Sequence, residues 1–300
     1  MQVQSPPFLP LPVRDGIAPS YIWIPEGHWD NVFRFLQDHF PDVAAHTWRA
    51  RLDKQEVVDQ HGNVLIADST VKRGMCIYYY REIENETSIP FQEEILFQDE
   101  HLLVVDKPHF LPVIPSGRFL QETLLVRLKK NTGLMDLTPI HRLDRETAGV
   151  MLFSHNPSTR GQYQSLFQRK SMAKTYHAVA KHLSELSFPL RHCSRMEEAE
   201  KFFVMREVNG IANSETLIDV KERRGENSLY QLQPVTGRKH QLRLHMSSLG
   251  APIVNDAFYP VALPCKADDF SAPLQLLAKS IRFDDPLTGR ERYFESRKSL

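Results

Sequence analysis

The order of apolar runs and turn residues predicts an α+β chain, richer in strands than in helices. Three observations carry this. Short apolar or alternating runs recur along the whole length, as at Ile95–Gln98, Leu102–Asp106, Val150–Phe153 and Thr175–Ala180. Turn residues join neighbouring runs directly, at Asp99-Glu100 and across Asp285-Pro-Leu-Thr-Gly289, as antiparallel hairpins require. Helical stripes come only at irregular intervals, which argues against a doubly wound βαβ fold. There is no internal repeat or low-complexity tract.

Residues 1–27 are Pro-rich and read as an extended leader. Residues 28–88 read as a small module with its linker. Trp29, Val32, Phe33, Leu36 and Phe40 form one helical stripe that stops at Pro41, and a second short helix spans Val43–Leu52. A run at Glu56–Asp59, a turn at His61-Gly62-Asn63, another run at Val64–Ile66 and a strand within Lys72–Tyr80 complete it. The acidic stretch Glu82–Ser88 links it to residues 89–300, the larger domain.

In that domain the first two strands, Ile95–Gln98 and Leu102–Asp106, flank a tight turn. Gln121–Lys130 is an amphipathic helix ending at Asn131-Thr-Gly133, with lysines in its last turn. The apolar run Val150–Phe153 is a strand and Ser158–Gln168 a second helix. Strands follow at Thr175–Ala180, Ser214–Val220 and Leu229–Val235. Arg238–Ser248 reads as a helix closed by Gly250 and Pro252. Leu274–Phe283 and Arg290–Phe294 form a last hairpin.

Length and composition bound the function. A chain of 300 residues suggests about two domains. Lys plus Arg (37) equals Asp plus Glu (37), so total charge gives no support for a nucleic-acid partner, although residues 221–245 are locally basic. Cys76, Cys193 and Cys265 are odd in number and widely spaced, which fits neither a disulfide framework nor a zinc site and is consistent with a reducing compartment. Prolines interrupt the N-terminus where a secretory signal needs an apolar run, and no stretch approaches the ~20 apolar residues of a membrane span. We expect a soluble, cytoplasmic protein.

The most informative segment is Pro139-Ile-His-Arg-Leu-Asp-Arg-Glu-Thr-Ala-Gly149. It sets Asp144 among His141, Arg142 and Arg145 in a polar break before a strand. Such an acid is either a nucleophile or general base, or one half of a loop ion pair. Three further blocks follow: Lys174-Thr-Tyr176; Thr236-Gly-Arg-Lys-His-Gln-Leu-Arg-Leu-His245 with Leu249-Gly-Ala-Pro-Ile-Val-Asn-Asp256; and Leu276-Leu-Ala278 with Ile281-Arg-Phe283. The four resemble, in order, the motifs H-R-L-D-x-x-T-S-G, K-x-Y, T-G-R-x-H-Q-[IL]-R-x-H with G-x-P-I-x-x-D, and L-H-A with L-x-F. Those motifs belong to the large-subunit ribosomal and transfer RNA class of RNA pseudouridine synthases. The resemblance spans roughly residues 95–290. Ala148 stands where the class has Ser, and Leu277 where it has His.

The resemblance implies a pseudouridine synthase fold, with a mainly antiparallel mixed sheet flanked by helices and loops. The 28–88 module, two helices and then strands, resembles an S4-type RNA-binding module. Its acids balance its bases, so contact with RNA and a folded spacer both remain open. The implied reaction isomerises uridine to pseudouridine in ribosomal or transfer RNA. It is redox-neutral, so no metal or cofactor is expected. The implied catalytic residues are Asp144, acting by covalent attack or by sugar proton abstraction, and Tyr176 over the base. Arg238, from the T-G-R block, is implied as the guanidinium that keeps Asp144 ionised. His141, Arg142, Arg145, Thr147, Lys174, His240 and Arg243 are the expected RNA-binding set, with RNA the one partner and a monomer the expected state. Neither a kinase nor a glycosidase fits, since no Gly-rich loop or D-F-G is present and no second carboxylate is placed to handle water. The competing reading is an RNA-binding protein that keeps the fold without turnover.

Overall fold

The computed structural model describes residues 10–83, 85–200, 203–263 and 269–300. Cys265 and residues 1–9 of the expected leader lie outside the described residues. The chain divides into two compact units, Met1–Glu86 and Thr87–Leu300.

The first unit holds β1 (Ser20–Trp23), α1 (Val32–His39), α2 (Ala45–Asp53), β2 (Val57–Asp59) and β3 (Cys76–Tyr79), with an antiparallel sheet in the order β1-β3-β2. Asn31 caps α1 by accepting the Arg34 N–H at 2.9 Å, and the helix ends before Pro41. Val32, Phe35 and Leu36 pack with Trp48, Leu52, Val57 and Ile77 into the unit's core. The leader expected over residues 1–27 is corrected in its last third. Tyr21-Ile-Trp23 is β-prone and pairs with β3 from Ser20↔Tyr79 to Trp23↔Cys76.

The second unit comprises β4 (Glu94–Gln98), β5 (Leu102–Lys107), α3 (Leu124–Thr132), β6 (Thr138–Pro139), β7 (Ala148–Ser154), α4 (Pro157–Gln168), β8 (Ala173–Lys181), β9 (Leu190–Glu198), β10 (Met205–Val208), β11 (Ser214–Arg224), β12 (Asn227–Pro234), α5 (Gln241–Ser248), β13 (Leu276–Asp284) and β14 (Glu291–Glu295). Its sheet runs β10-β9-β11-β12-β8-β13-β7-β5-β4, with β14 beside β13 and β6 beside β7. Among these pairings only β13–β7 is parallel, so the expected mixed, mainly antiparallel architecture holds.

β5 and β7 are buried on both faces, which is why they read as unbroken apolar runs. Leu103, Val105, Met151 and Phe153 face α3, whereas Leu102, Val104, Val150 and Leu152 pack with Tyr163 and Phe283 on the opposite side. β9 and β10 escape sequence patterning because inward positions of β9 are polar, at His192 and Ser194. Two helices start later than expected. Thr123 caps α3 through the Val126 N–H, and Gly133 closes that helix at φ +72°. His240 sits at φ +54°, so α5 begins at Gln241 rather than at Arg238.

Where β7 meets β13, Gly149 holds φ +115°, and a Cβ there would lie 2.2 Å from the Ala278 carbonyl oxygen. No other residue type fits this crossing, which draws the first and last sequence blocks together.

Candidate active site

The loop between β6 and β7 is fixed from beneath. Leu143 is buried in the core, and the Thr147 N–H closes a turn on the Asp144 carbonyl at 3.1 Å. Lys107, fully buried at the end of β5, donates to the carbonyls of Pro108, Leu111 and Arg145 at 2.8–3.0 Å. Burial lowers its pKa to about 7, against the opposing charges of Glu146 and Asp144. The loop backbone is thereby held while the Asp144 carboxylate stays reachable, its side chain 33% exposed.

Arg243 of α5 supplies the partner guanidinium. Its Nη1 donates to Asp144 Oδ2 at 3.2 Å, while Nε and Nη2 bind Asp256 bidentately at 2.8 and 2.6 Å. Asp256 also accepts the N–H groups of Phe258 and Tyr259, and the Phe258 ring lies under the guanidinium at 4.7 Å. Burial works against the Arg243 charge, but Asp256 and then Asp144 outweigh it and raise its pKa.

This corrects the expectation for Arg238. It lies in the exposed loop before α5, where its Nε donates to the Asn213 carbonyl at 3.3 Å, and no contact joins it to Asp144 among the described residues. The physical reason is the left-handed turn at His240, which leaves Arg238 outside the helix and lets Arg243, one turn in, point inward. The usable signal was the second Arg of the T-G-R block read together with the Asp that ends G-x-P-I-x-x-D. Asp256, Phe258 and Tyr259 were missed for want of that pairing.

His240 Nε2 stands 3.8 Å from Asp144 Oδ2, and its Nδ1 lies 3.1 Å from the Tyr259 hydroxyl. That hydroxyl accepts the Met205 N–H, so its own proton is free to go to Nδ1, which leaves Nε2–H facing the carboxylate. Burial lowers the His240 pKa to about 4 despite Asp144. With both neighbours on Oδ2, Asp144 Oδ1 has no hydrogen bond among the described residues.

Tyr176 of β8 is half-buried between the two main cores. Desolvation first, and the Asp144 charge second, raise its phenol pKa, so it stays protonated at neutral pH. Lys174 is half-buried, its amine 3.8 Å from where a Cβ on Gly237 would lie, and burial lowers its pKa. It has no hydrogen bond among the described residues. Thr175 and His177, the alternate residues of β8, line a separate cleft of about 420 Å³ with Lys221, Lys279 and Arg282.

Of the remaining expected RNA contacts, Arg142 is exposed and makes no ion pair among the described residues. Three others are turned inward. The His141 Nε2 accepts the Leu152 N–H at 3.1 Å, and its ring stacks on Phe167 at 4.6 Å. Burial, with Lys174 adding to it, lowers the His141 pKa to about 3. Arg145 donates to the Phe110 carbonyl at 3.0 Å and pairs with Glu146 at 3.3 Å. Thr147 is buried. All three hold the loop, Arg145 with its side chain still 25% exposed, and Arg243 is spent on Asp256 and Asp144. His240 is a wall of the site.

Comparison with known proteins matches residues 101–248 to the RNA pseudouridylate synthase family. The chain is 34% identical over 215 residues to tRNA pseudouridine synthase C of Vibrio vulnificus, covering 66% of this chain and 87% of that protein. It is 30% identical over 231 residues to human pseudouridylate synthase RPUSD2, covering 76% of this chain and 40% of that longer protein. The structure of human RNA pseudouridylate synthase domain containing 4 superposes with a TM-score of 0.54 at 28% identity, covering 68% of this chain and 87% of that one.

Proposed function

The chain belongs to the RNA pseudouridylate synthase family, and from that premise we propose that it isomerises uridine to pseudouridine in RNA, with Asp144 as the reacting carboxylate. One observation carries this reading: Asp144 has one oxygen held by Arg243 and the other uncommitted, on a side chain open to solvent. A structural ion pair has no reason to leave half its acid unused, as the fully enclosed Asp256 in the same cluster illustrates.

In this scheme the C1′–N1 bond breaks, uracil turns, and a C1′–C5 bond forms. The free Asp144 oxygen attacks C1′ or removes a sugar proton, and Arg243 keeps the carboxylate ionised as the pocket dries. Tyr176 offers its ring face to the uracil. Because its phenol is held neutral, the C5 proton passes to a water it positions rather than to a phenolate. The uridine must be everted or single-stranded to reach the loop. Exposed Arg142, Arg238 and the amine of Lys174 are assigned to flanking phosphates.

We extend the substrate to transfer or ribosomal RNA, the first on the name of the Vibrio relative and the second on the motif resemblance. The unit Met1–Glu86 is assigned as an S4-like module. Its Arg51 is buried against Trp48 and its Arg34 pairs with Asp38, which favours a spacer over an RNA grip. Free thiols at Cys76 and Cys193 fit a reducing cytoplasm, and no described helix is long and apolar enough to cross a membrane.

The test is tritium release from C5-labelled uridine in bulk RNA, comparing wild type with Asp144→Asn. Loss of release by ~10³-fold or more is expected when the reacting group is removed. Equal release from both proteins ends the assignment, and RNA binding without release by the wild type restores the non-catalytic reading.

A further inference from the structure

A second polar cluster sits on the far side of α5, away from the uridine chemistry. His192 of β9, Glu207 of β10 and His245 of α5 bring one ligand atom each within 4.8 Å of one another. His192 Nε2 lies 2.9 Å from Glu207 Oε1, and His245 Nε2 lies 4.0 Å from the same oxygen. The two imidazole rings meet edge to face at 4.6 Å. Three separate elements thus converge on one point with two nitrogens and one carboxylate.

We propose that His192, Glu207 and His245 form a binding site for one divalent transition-metal ion, zinc foremost, with water as the fourth ligand. Around tetrahedral zinc, with bonds of roughly 2.0–2.1 Å, neighbouring donor atoms stand roughly 3.3 Å apart. The two spacings to Glu207, 2.9 and 4.0 Å, bracket that value, and all three donor atoms lie within 4.8 Å, so side-chain rotations would close the set. The two-imidazole, one-carboxylate set suits zinc better than magnesium or calcium, which prefer oxygen donors.

The surroundings fit as well. His245 Nδ1 lies 2.9 Å from the Thr216 hydroxyl, which can accept its proton and turn Nε2 outward as a lone-pair donor. In return Nε2 gives up its contact with the Ser214 hydroxyl at 2.9 Å, which already donates to the Ser194 carbonyl. Glu207 also lines a cleft of about 550 Å³ together with Leu244 and Ser248, so the carboxylate side of the cluster faces solvent. The consequence would be structural. The metal would staple the β9–β10 hairpin to α5 two residues from Arg243.

The experiment uses the full chain, free of affinity tag and stripped with chelator, and adds zinc alone. Equilibrium dialysis should find one zinc per chain. At zinc 100-fold above its dissociation constant, Tm should rise by roughly 5–10 °C. His192→Ala and Glu207→Gln, both at partly exposed positions, should fold without metal yet lose the bound zinc and the shift. Cys193→Ser should keep both. Undiminished binding in His192→Ala and Glu207→Gln, loss in Cys193→Ser, or no stoichiometric uptake by the wild type would overturn the proposal and leave a hydrogen-bonded pair only.

Discussion

Arg243 and His245 leave α5 two residues apart and enter polar centres of opposite character. Arg243 joins a centre of full charges, where one guanidinium divides itself between a sealed carboxylate, Asp256, and an open one, Asp144. His245 joins a centre held by hydroxyl groups, with Ser214, Thr216 and Ser194 around an imidazole whose pKa burial has lowered to about 4. The first centre is fixed by charge and leaves one oxygen over. The second is fixed by neutral hydrogen bonds to both nitrogens of His245, and its opening to solvent lies at the partly exposed His192 and Glu207. A buried group that is fully partnered reads as scaffold, while incomplete partnering beside solvent marks where a substrate or an ion would complete the set.

The comparison breaks most sharply at the guanidinium. Arg243→Ala strands Asp256 in a closed environment and should cost about 3–5 kcal/mol. Arg238→Ala, on an exposed loop, should stay within about 0.5 kcal/mol. Urea unfolding of the two variants decides it, and similar losses would return the partner role to Arg238. Tyr176→Phe keeps the ring and removes the hydroxyl, so turnover should fall by on the order of 10²-fold with RNA affinity nearly unchanged. Weakened RNA binding at an unaltered rate would contradict the assignment.

A smaller effect concerns the two departures from the family motifs. Ala148 and Leu277 are register partners in the short parallel pairing of β7 and β13, and both are fully buried. Leu277→His alone should therefore cost about 1–3 kcal/mol through an unsatisfied ring nitrogen. Adding Ala148→Ser should recover part of it, and strict additivity in a double-mutant cycle would show that the two positions do not interact.

A separate effect is acid sensitivity at His141. Its pKa is about 3 in the fold and ~6.5 when unfolded, so between those values only the unfolded chain takes up the proton. Stability from this residue is complete above pH ~6.5 and is lost as pH falls toward 3. His141→Gln can still accept the Leu152 N–H without titrating, so its stability should decline less steeply between pH 6.5 and 4. Parallel curves for the two proteins would remove His141 as the cause.

Much of this was legible before any coordinates. The continuous apolar runs of β5 and β7 announce strands covered on both sides, and the Asp144 loop declares itself by charges lodged between them. β9 stayed hidden because burial there is carried by His192, Ser194 and Met196 rather than by aliphatic residues. Arg238 was expected through the resemblance alone, whereas the left-handed His240 keeps it outside α5 and the signal for Arg243 lay in its block read together with Asp256. Asp256 stayed unassigned because Arg243 was expected to bind RNA rather than to pair with a carboxylate.

β8 points Tyr176 toward the carboxylate and His177 into the cleft on its reverse side, with Tyr176 registered against both Leu232 and Ala278. Parity is therefore a hidden constraint on this segment. A slip of one residue along the strand would turn Tyr176 away from Asp144, whereas a slip of two would restore its facing at the expense of the pairings with β12 and β13. Length drift in this chain should be confined to the connections that flank the strand.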